Sequence, residues 1–287
     1  MPRIAYVNGR YLPHARAGVH IEDRGYQFAD GVYEVCEIAR GNIVDMTRHL
    51  DRLDRSLSEL RIAWPMTRPA LQRVIAEVVR RNRVADGLVY LQVTRGAAPR
   101  DHVFPPAGTR PSLVVTAKRT DRALLERRAA EGVRVVTVPE NRWARVDIKT
   151  IGLLPNVLAR QQAKEAGAAE AWFVDAQGMV TEGAATNAWI VTRDRRLVTR
   201  PAEFGILRGV TRATAMDVAQ RLGLAVEERG FTVDEAMAAS EAFISAATTV
   251  VTPVVAIDGR AIGDGRPGEV ALSLRRAFFD VAEKTPA

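Results

Sequence analysis

Residues 143–159 read Trp-Ala-Arg-Val-Asp-Ile-Lys-Thr-Ile-Gly-Leu-Leu-Pro-Asn-Val-Leu-Ala, and they surround Lys149 with apolar side chains. The chain has 41 basic residues, but the sequence contains only four lysines. Lys118, Lys164 and Lys284 have polar or terminal contexts, so we expect these three amines to be solvated. Burial favours the neutral amine, which is the nucleophilic form. Lys149 is therefore the candidate nucleophile, although a lone lysine in this setting also fits a strand-end side chain that reaches solvent.

The sequence before residue 118 predicts an α/β layer. Asn8-Gly9 predicts a hairpin between strands at 4–7 and 10–12. Leucines at helical spacing predict a helix from an N-cap at Thr47 to Ile62, and a second apolar stripe follows over 71–79. Further strands are predicted at 32–39, 88–94 and 113–117.

The sequence after residue 122 predicts strands that alternate with helices. Predicted strands cover 134–138, 171–174, 188–192 and 242–246, and predicted helices cover 121–132, 156–166, 211–222 and 269–283. Gly167 is expected to close the second of these helices, and Asp258-Gly259 predicts another hairpin. We expect an α/β protein with domains at 1–117 and 123–287, joined by a linker at 118–122.

The composition argues against several classes of protein. The net charge of +7 suggests nucleic-acid binding, but acidic residues alternate with the basic ones, which is typical of a solvated surface. We therefore expect no nucleic-acid partner. A single cysteine and four scattered histidines predict no metal site, and the lack of a long apolar segment predicts no membrane span and a cytoplasmic protein.

The segment around Lys149 resembles the cofactor-lysine segment of fold-type IV pyridoxal-phosphate enzymes, and specifically of the D-amino acid transaminases. The resemblance extends in order over nearly the whole chain. It includes 22–34, 49–53, 93–102, Thr181-Glu182-Gly183-Ala184-Ala185-Thr186-Asn187 and Gly209-Val210-Thr211-Arg212. It implies a smaller N-terminal α/β domain, a larger, barrel-like C-terminal α/β domain and pyridoxal 5′-phosphate as the cofactor.

The resemblance also implies the roles of individual residues. Lys149 is the catalytic residue and forms a Schiff base with the cofactor, and Glu182 keeps the cofactor's ring nitrogen protonated. Arg52 and the helix start at Val210 and Thr211 bind the phosphate, as a guanidinium and a helix N-terminus can. Thr248 is the remaining cofactor-binding residue.

Tyr33, Arg100 and His102 resemble the carboxylate trap of D-amino acid transaminases. In that family the loop reaches the neighbouring subunit, which implies a homodimer with shared active sites. The expected reaction moves an amino group between D-amino acids, such as D-alanine and D-glutamate, and 2-oxo acids with ping-pong kinetics. Without the resemblance, residues 99–105 would be interpreted as an exposed basic loop.

The sequence departs from the family pattern at two turns. Ala184 and Ala185 stand where the family has serines, and Ala246 and Ala247 stand where hydroxyl residues are usual. Weaker cofactor retention or an altered substrate range could follow. The open alternatives are a branched-chain L-amino acid transaminase, an (R)-selective amine transaminase, an aminodeoxychorismate lyase, or a basic binding module without activity.

Overall fold

A computed structural model describes residues 3–203 and 205–287 of the chain. The chain divides into two compact units. Unit 1 comprises residues 1–121, 148–152 and 283–287, and unit 2 comprises 122–147 and 153–282. The segment that carries Lys149 therefore belongs to unit 1, although its neighbours on both sides belong to unit 2. The domain bounds expected from the sequence stay a prediction.

Unit 1 is built on an antiparallel sheet. Its elements up to residue 121 are β1 (Ile4–Val7), β2 (Arg10–Pro13), α1 (Arg24–Phe28), β3 (Gly31–Ala39), β4 (Asn42–Val44), α2 (Met46–Glu59), α3 (Arg68–Asn82), β5 (Gly87–Thr94) and β6 (Ser112–Arg119). A last strand, Lys284–Pro286, pairs with β4 and completes the sheet at that edge. The predicted hairpin is confirmed, because β1 pairs with β2 and both turn residues, Asn8 and Gly9, have positive φ.

The two long helices of unit 1 pack their leucine and valine stripes on this sheet. Leu50, Leu53 and Leu57 of α2 join the core with Leu71 and Ile75 of α3, as the helical spacing predicts. The predicted N-cap at Thr47 is wrong, because the N-cap position belongs to Asp45. The Thr47 side chain instead donates to the Glu283 carboxylate, a partner 236 residues away that local sequence cannot reveal.

Unit 2 is built on a mixed sheet. Its elements are α4 (Arg122–Glu131), β7 (Val133–Pro139), α5 (Leu154–Glu165), β8 (Glu170–Val174), β9 (Val180–Gly183), β10 (Asn187–Val191), β11 (Leu197–Thr199), α6 (Val210–Arg221), β12 (Val226–Glu228), α7 (Val233–Ala238), β13 (Glu241–Ala246), β14 (Val250–Ile257), β15 (Arg260–Ala261) and α8 (Glu269–Val281), and the strand of unit 1 that ends the chain is β16. The strand order is β12-β11-β10-β13-β14-β7-β8-β9, with β15 beside β14. β7 runs parallel to both β8 and β14, and most other neighbours are antiparallel.

The predicted helices and longer strands of unit 2 are confirmed within one or two residues. Gly167 closes α5 with φ +68°, and the hairpin at Asp258-Gly259 joins β14 to β15. β9, β11 and β12 were not predicted, because three or four residues are too few to establish a strand period. β14 and β15 were predicted only as the two arms of the Asp258-Gly259 hairpin, and α7 was not predicted. Trp172, Phe231 and Ile190 lie in the core that covers the sheet.

Within residues 3–203 and 205–287, no helix is long and apolar enough to cross a membrane. The same described residues contain no group of three histidine, cysteine or acidic side chains placed to hold a metal ion.

Candidate active site

Lys149 lies on a short extended segment that runs beside the start of β3. Its carbonyl accepts a hydrogen bond of 3.0 Å from the Tyr33 N–H, and Ile151 donates to the Gly31 carbonyl at 3.1 Å. The Lys149 Nζ atom stands 4.2 Å from the centre of the Tyr33 ring, where an ammonium is attracted by the ring face. Lys149 is half-buried, whereas the other three lysines are exposed, as the sequence predicts.

Tyr90 backs the Tyr33 ring from the neighbouring strand β5. The two ring centres are 5.7 Å apart, and the Tyr90 hydroxyl donates to Gln92 Oε1 at 2.6 Å. Burial and the adjacent Tyr33 raise the pKa of Tyr90 to about 12, so this hydroxyl stays protonated at neutral pH. The Tyr33 ring therefore lies between the Lys149 amine and the Tyr90 ring.

A buried ion pair lies on the opposite face of β3 from Tyr33, because successive residues of a strand point to opposite faces. Arg52 of α2 donates through Nε and Nη2 to the two oxygens of Glu34, each at 2.7 Å. His49 Nδ1 lies 2.7 Å from one of the same oxygens. The Glu34 side chain is 0% exposed and that of Arg52 is 9% exposed, so water screens the pair little.

The surroundings of Glu34 decide the charges in this cluster. Burial would raise the pKa of the carboxyl, but Arg52 and His49 outweigh it and lower the pKa to about 2. Burial lowers the pKa of His49 despite the hydrogen bond to Glu34. Burial alone would lower the pKa of Arg52, but Glu34 raises it instead. At neutral pH the cluster is therefore a carboxylate and a guanidinium with a neutral imidazole.

Helical periodicity by itself places Arg52 on a solvated flank of α2, and the structure buries it instead. Its Nε and Nη2 atoms are held by the Glu34 carboxylate. The Lys149 N–H donates to Ser56 Oγ at 3.4 Å, and Ser56 lies one helical turn after Arg52. The same helix thus carries Arg52 and contacts the Lys149 backbone.

Glu34 and His49 were not predicted as site residues, although one signal for Glu34 is present in the sequence. Val32, Glu34, Cys36 and Ile38 form the buried phase of β3, and Glu34 is the polar residue among them. A carboxylate in a buried strand phase requires a charged partner.

Arg100 and His102 lie on one loop, and both side chains pack against the Phe28 ring of α1. The Arg100 guanidinium lies 4.5 Å from the Phe28 ring centre, and the His102 ring lies 5.4 Å from it. Arg24 anchors the loop by donating to the Asp101 carbonyl at 2.6 Å. Arg100 and His102 are exposed, and within the described chain no hydrogen bond, ion pair or ring contact joins them to Tyr33 or Lys149. The structure therefore holds these two side chains together, but apart from the other predicted substrate residue.

In unit 2, Glu182 lies in β9 and is buried, whereas its local sequence suggests a solvated turn. Arg142 Nη1 donates to its Oε1 at 2.6 Å, and Asn187 Nδ2 donates to its Oε2 at 3.0 Å. The Leu207 N–H lies 3.1 Å from both oxygens. These donors fix the orientation of the carboxylate.

Arg142 links Glu182 to a second carboxylate. It also donates to Glu140 through Nε and Nη2 at 2.8 and 2.6 Å, and it lies over the Phe173 ring. Burial would lower the pKa of Arg142, but the bonds to Glu140 and Glu182 raise it, and Arg142 in turn lowers the pKa of Glu140. Arg142 was not predicted as a site residue, because it lies 40 residues before Glu182 and no local pattern pairs them.

Val210 and Thr211 are the first residues of α6, as predicted, and both are buried. The N-cap residue is Gly209, and no side chain caps the helix. A Cβ atom at Gly209 would lie 1.9 Å from Asn187 Oδ1, so this position has room only for glycine. The first N–H groups of a helix have no partner within it and suit an anion.

Thr248 lies in the turn between β13 and β14. The next residue, Thr249, has a buried hydroxyl without a hydrogen-bond partner among residues 3–203 and 205–287. The Thr186 hydroxyl, in the turn after Ala184 and Ala185, is also buried and has no hydrogen-bond partner among these described residues. Buried polar atoms without partners are costly, so each is a candidate ligand-binding group.

Comparisons with known proteins agree on one family. The family model for class IV amino-transferases matches residues 31–257. The chain is 40% identical to a D-alanine aminotransferase of Bacillus licheniformis over 94% of both chains, and 36% identical to one of Staphylococcus haemolyticus over 95% of both. A branched-chain aminotransferase from the archaeon Thermoproteus uzoniensis, solved with norvaline, has a TM-score of 0.85 and 27% identity over 98% of both chains.

A hypothetical aminotransferase from Mycobacterium tuberculosis, solved in a PLP-bound form, shares the fold with a TM-score of 0.83 at 22% identity, over 96% of this chain and 99% of its own. The mixed α/β architecture is thus that of the fold-type IV aminotransferases, as the sequence predicts. The chain belongs to the class IV amino-transferase family.

Proposed function

We propose that this protein is a pyridoxal-phosphate-dependent transaminase that moves the amino group between D-amino acids and 2-oxo acids. The observation that carries the proposal is the 40% identity to a D-alanine aminotransferase over 94% of both chains. The contacts of the candidate residues give it physical support. The homodimer with shared active sites and the cytoplasmic location stay predictions.

The residues present fit pyridoxal phosphate. Its aldehyde requires a lysine amine, and Lys149 is the half-buried lysine of the four. Its ring nitrogen requires a fixed carboxylate, and Glu182 is held by Arg142, Asn187 and Leu207. Its phosphate requires several donors. We assign these to Arg52, to the backbone at Val210 and Thr211, and to Thr248.

When bound, pyridoxal phosphate supplies an electron sink for the electron pair left on the substrate's α-carbon after proton removal. Glu182 keeps a proton on the cofactor's ring nitrogen, which makes the ring a better acceptor. Lys149 Nζ would hold the cofactor through its aldehyde carbon, and the same amine, when free, would take the proton from the substrate's α-carbon. Tyr33 lies under this amine and limits where it can move.

Substrate selection is assigned to Tyr33, Arg100 and His102. A guanidinium and an imidazole that share the Phe28 ring can donate to one carboxylate together. Holding the carboxylate on one side fixes which α-hydrogen faces the lysine, and this selects one enantiomer. Since the loop is anchored through Arg24 and Asp101, we expect little rearrangement on binding.

Branched-chain aminotransferase activity is the second candidate. Its support is the structural likeness to the Thermoproteus uzoniensis enzyme at a TM-score of 0.85, but the identity of 27% is lower than that to the D-alanine aminotransferases. Both reactions require Lys149, Arg52 and Glu182. The two candidates therefore differ only in the residues that bind the substrate.

The deciding experiment measures transamination of D-alanine, L-leucine and (R)-1-phenylethylamine with 2-oxoglutarate as acceptor. We expect turnover of D-alanine, with KM raised in Arg100→Met and unchanged in the control Arg16→Met, an exposed arginine in the short 3₁₀ helix His14–Arg16. Turnover of L-leucine alone would replace the proposal by the second candidate. Turnover of none of the three would contradict both.

A further inference from the structure

The turn between β13 and β14 contains a strained residue. Val250 has φ +59° and is buried. This left-handed region is unfavourable for branched side chains, because the Cβ atom crowds the backbone. Among the described non-glycine residues with positive φ, Val250 is the one with a β-branched side chain. Such conformations persist only where the surroundings impose them, and they concentrate at ligand sites.

Arg275 of α8 imposes the conformation of this turn. Its Nη1 atom donates to the carbonyls of Thr249 and Val251 at 2.7 and 2.8 Å, so it holds the carbonyl groups of the residues before and after Val250. Its Nε and Nη2 atoms donate to the two oxygens of Glu126 in α4, each at 3.1 Å. The Arg275 side chain is 8% exposed. Because the guanidinium is planar and buried, the Glu126 carboxylate on one side of it also fixes the position of Nη1 on the other side.

In the turn that Arg275 holds, the hydroxyl residues come after the two positions where the family usually has them. Ala246 and Ala247 supply no side-chain donor, whereas Thr248 and Thr249 follow immediately. The Thr249 hydroxyl is buried and unpaired within residues 3–203 and 205–287. The Thr249 carbonyl accepts from both Arg275 Nη1 and Thr252 Oγ1, the latter at 2.9 Å, whereas the hydroxyl of the same residue has no partner within residues 3–203 and 205–287.

We propose that Arg275 is a positioning residue for the cofactor's phosphate. It holds Val250 in the left-handed conformation, and this conformation fixes the Thr248-Thr249 turn so that its hydroxyl groups receive the phosphate. The proposal rests on the proposed function, because it assumes that pyridoxal phosphate is the ligand. It also explains how the turn retains donors where this chain has alanines.

The test compares Arg275→Met with Arg276→Met, a control at the next position, whose side chain is 61% exposed. Protein freed of cofactor is titrated with pyridoxal phosphate and, separately, with pyridoxal, which lacks the phosphate. We expect Arg275→Met to weaken binding of pyridoxal phosphate about tenfold and to leave binding of pyridoxal unchanged. The control should bind both as the wild type does.

Adding Val250→Gly to Arg275→Met should restore most of the lost affinity, because glycine adopts a positive φ without strain. If Arg275→Met does not fold, Arg275→Lys is measured instead, since one ammonium cannot hold both carbonyls and Glu126, and the same selective loss is expected. An equal loss for both ligands, or no loss, would overturn the positioning role. Failure of the wild type to bind either ligand would instead contradict the proposed function.

Discussion

Replacing Glu34 by glutamine removes the carboxylate that neutralises buried Arg52. The amide keeps the shape of the side chain but not the charge, so Arg52, at 9% exposure, loses the carboxylate that holds its Nε and Nη2 atoms. Breaking a buried ion pair from one side costs about 3–5 kcal/mol. The pKa of Glu34, lowered from 4.5 to about 2, agrees with this range, since it corresponds to about 3 kcal/mol in favour of the ionised form.

Hydrogen exchange of cofactor-free protein measures this cost locally. We expect the free energy of opening to fall by about 3–5 kcal/mol in peptides from β3 and α2. Glu77→Gln is the matched control: the pKa of Glu77 is also lowered to about 2, by Arg80 and Arg81, but these ion pairs lie at the surface, where water and salt screen them. We expect that control to match the wild type.

A double variant, Glu34→Met with Arg52→Met, separates charge from packing. Replacing both members of a buried pair by apolar side chains is often close to neutral, so it should be more stable than Glu34→Gln. A cost below about 1 kcal/mol for Glu34→Gln would refute the reasoning. So would a double variant less stable than the single one.

Three further predictions concern unit 2 and acid stability. Glu182→Ala should lower kcat at least about 100-fold while the protein still binds pyridoxal phosphate. Steady-state kinetics measure kcat, and absorbance measures cofactor binding. An unchanged kcat would contradict the role of Glu182. Gly209→Ala should destabilise the protein by about 1–3 kcal/mol and weaken cofactor binding, because the new Cβ would lie 1.9 Å from Asn187 Oδ1. Gly18→Ala, which meets no atom within 4 Å, is its control, and equal urea midpoints would contradict the clash.

Lowering the pH should destabilise the fold in two stages. His49 and Glu34 both have folded-state pKa values below their ordinary values of 6.5 and 4.5, so protons bind the unfolded chain first. Their contributions are present above those values and are lost as the pH falls, from His49 below 6.5 and from Glu34 between 4.5 and about 2. Constant urea stability from pH 7 to pH 3 would contradict this.

The sequence predicted those parts of the fold that local patterns specify. Asn8-Gly9 and Asp258-Gly259 specify hairpins because their backbones tolerate positive φ, and the leucine stripe of α2 specifies which face packs on the sheet. Thr47 misled the prediction of a helix start, because its hydroxyl binds Glu283 and Asp45 occupies the N-cap. Helix ends depend on partners that no short window contains.

The candidate site was predictable only in part, for the same reason. Lys149 stands out because its chain neighbours are apolar, and this is visible in the sequence alone. The ion pair of Glu182 with Arg142 joins residues 40 positions apart, and that of Arg275 with Glu126 joins residues 149 positions apart. Neither pair can be inferred from the composition. Glu34 is intermediate: its place in the buried phase of β3 was visible, but its partner Arg52 was not.

Borohydride reduction with peptide mapping tests the central claim that Lys149 holds the cofactor. Borohydride makes the bond between a lysine nitrogen and the cofactor's aldehyde carbon permanent, so mass spectrometry of the digested protein identifies the lysine involved. We predict that the pyridoxyl group is found on the peptide containing Lys149. Lys149→Ala should lose both this label and the visible absorption band that a lysine-bound cofactor gives. A label on Lys118, Lys164 or Lys284, or no label after incubation with pyridoxal phosphate, would contradict the assignment.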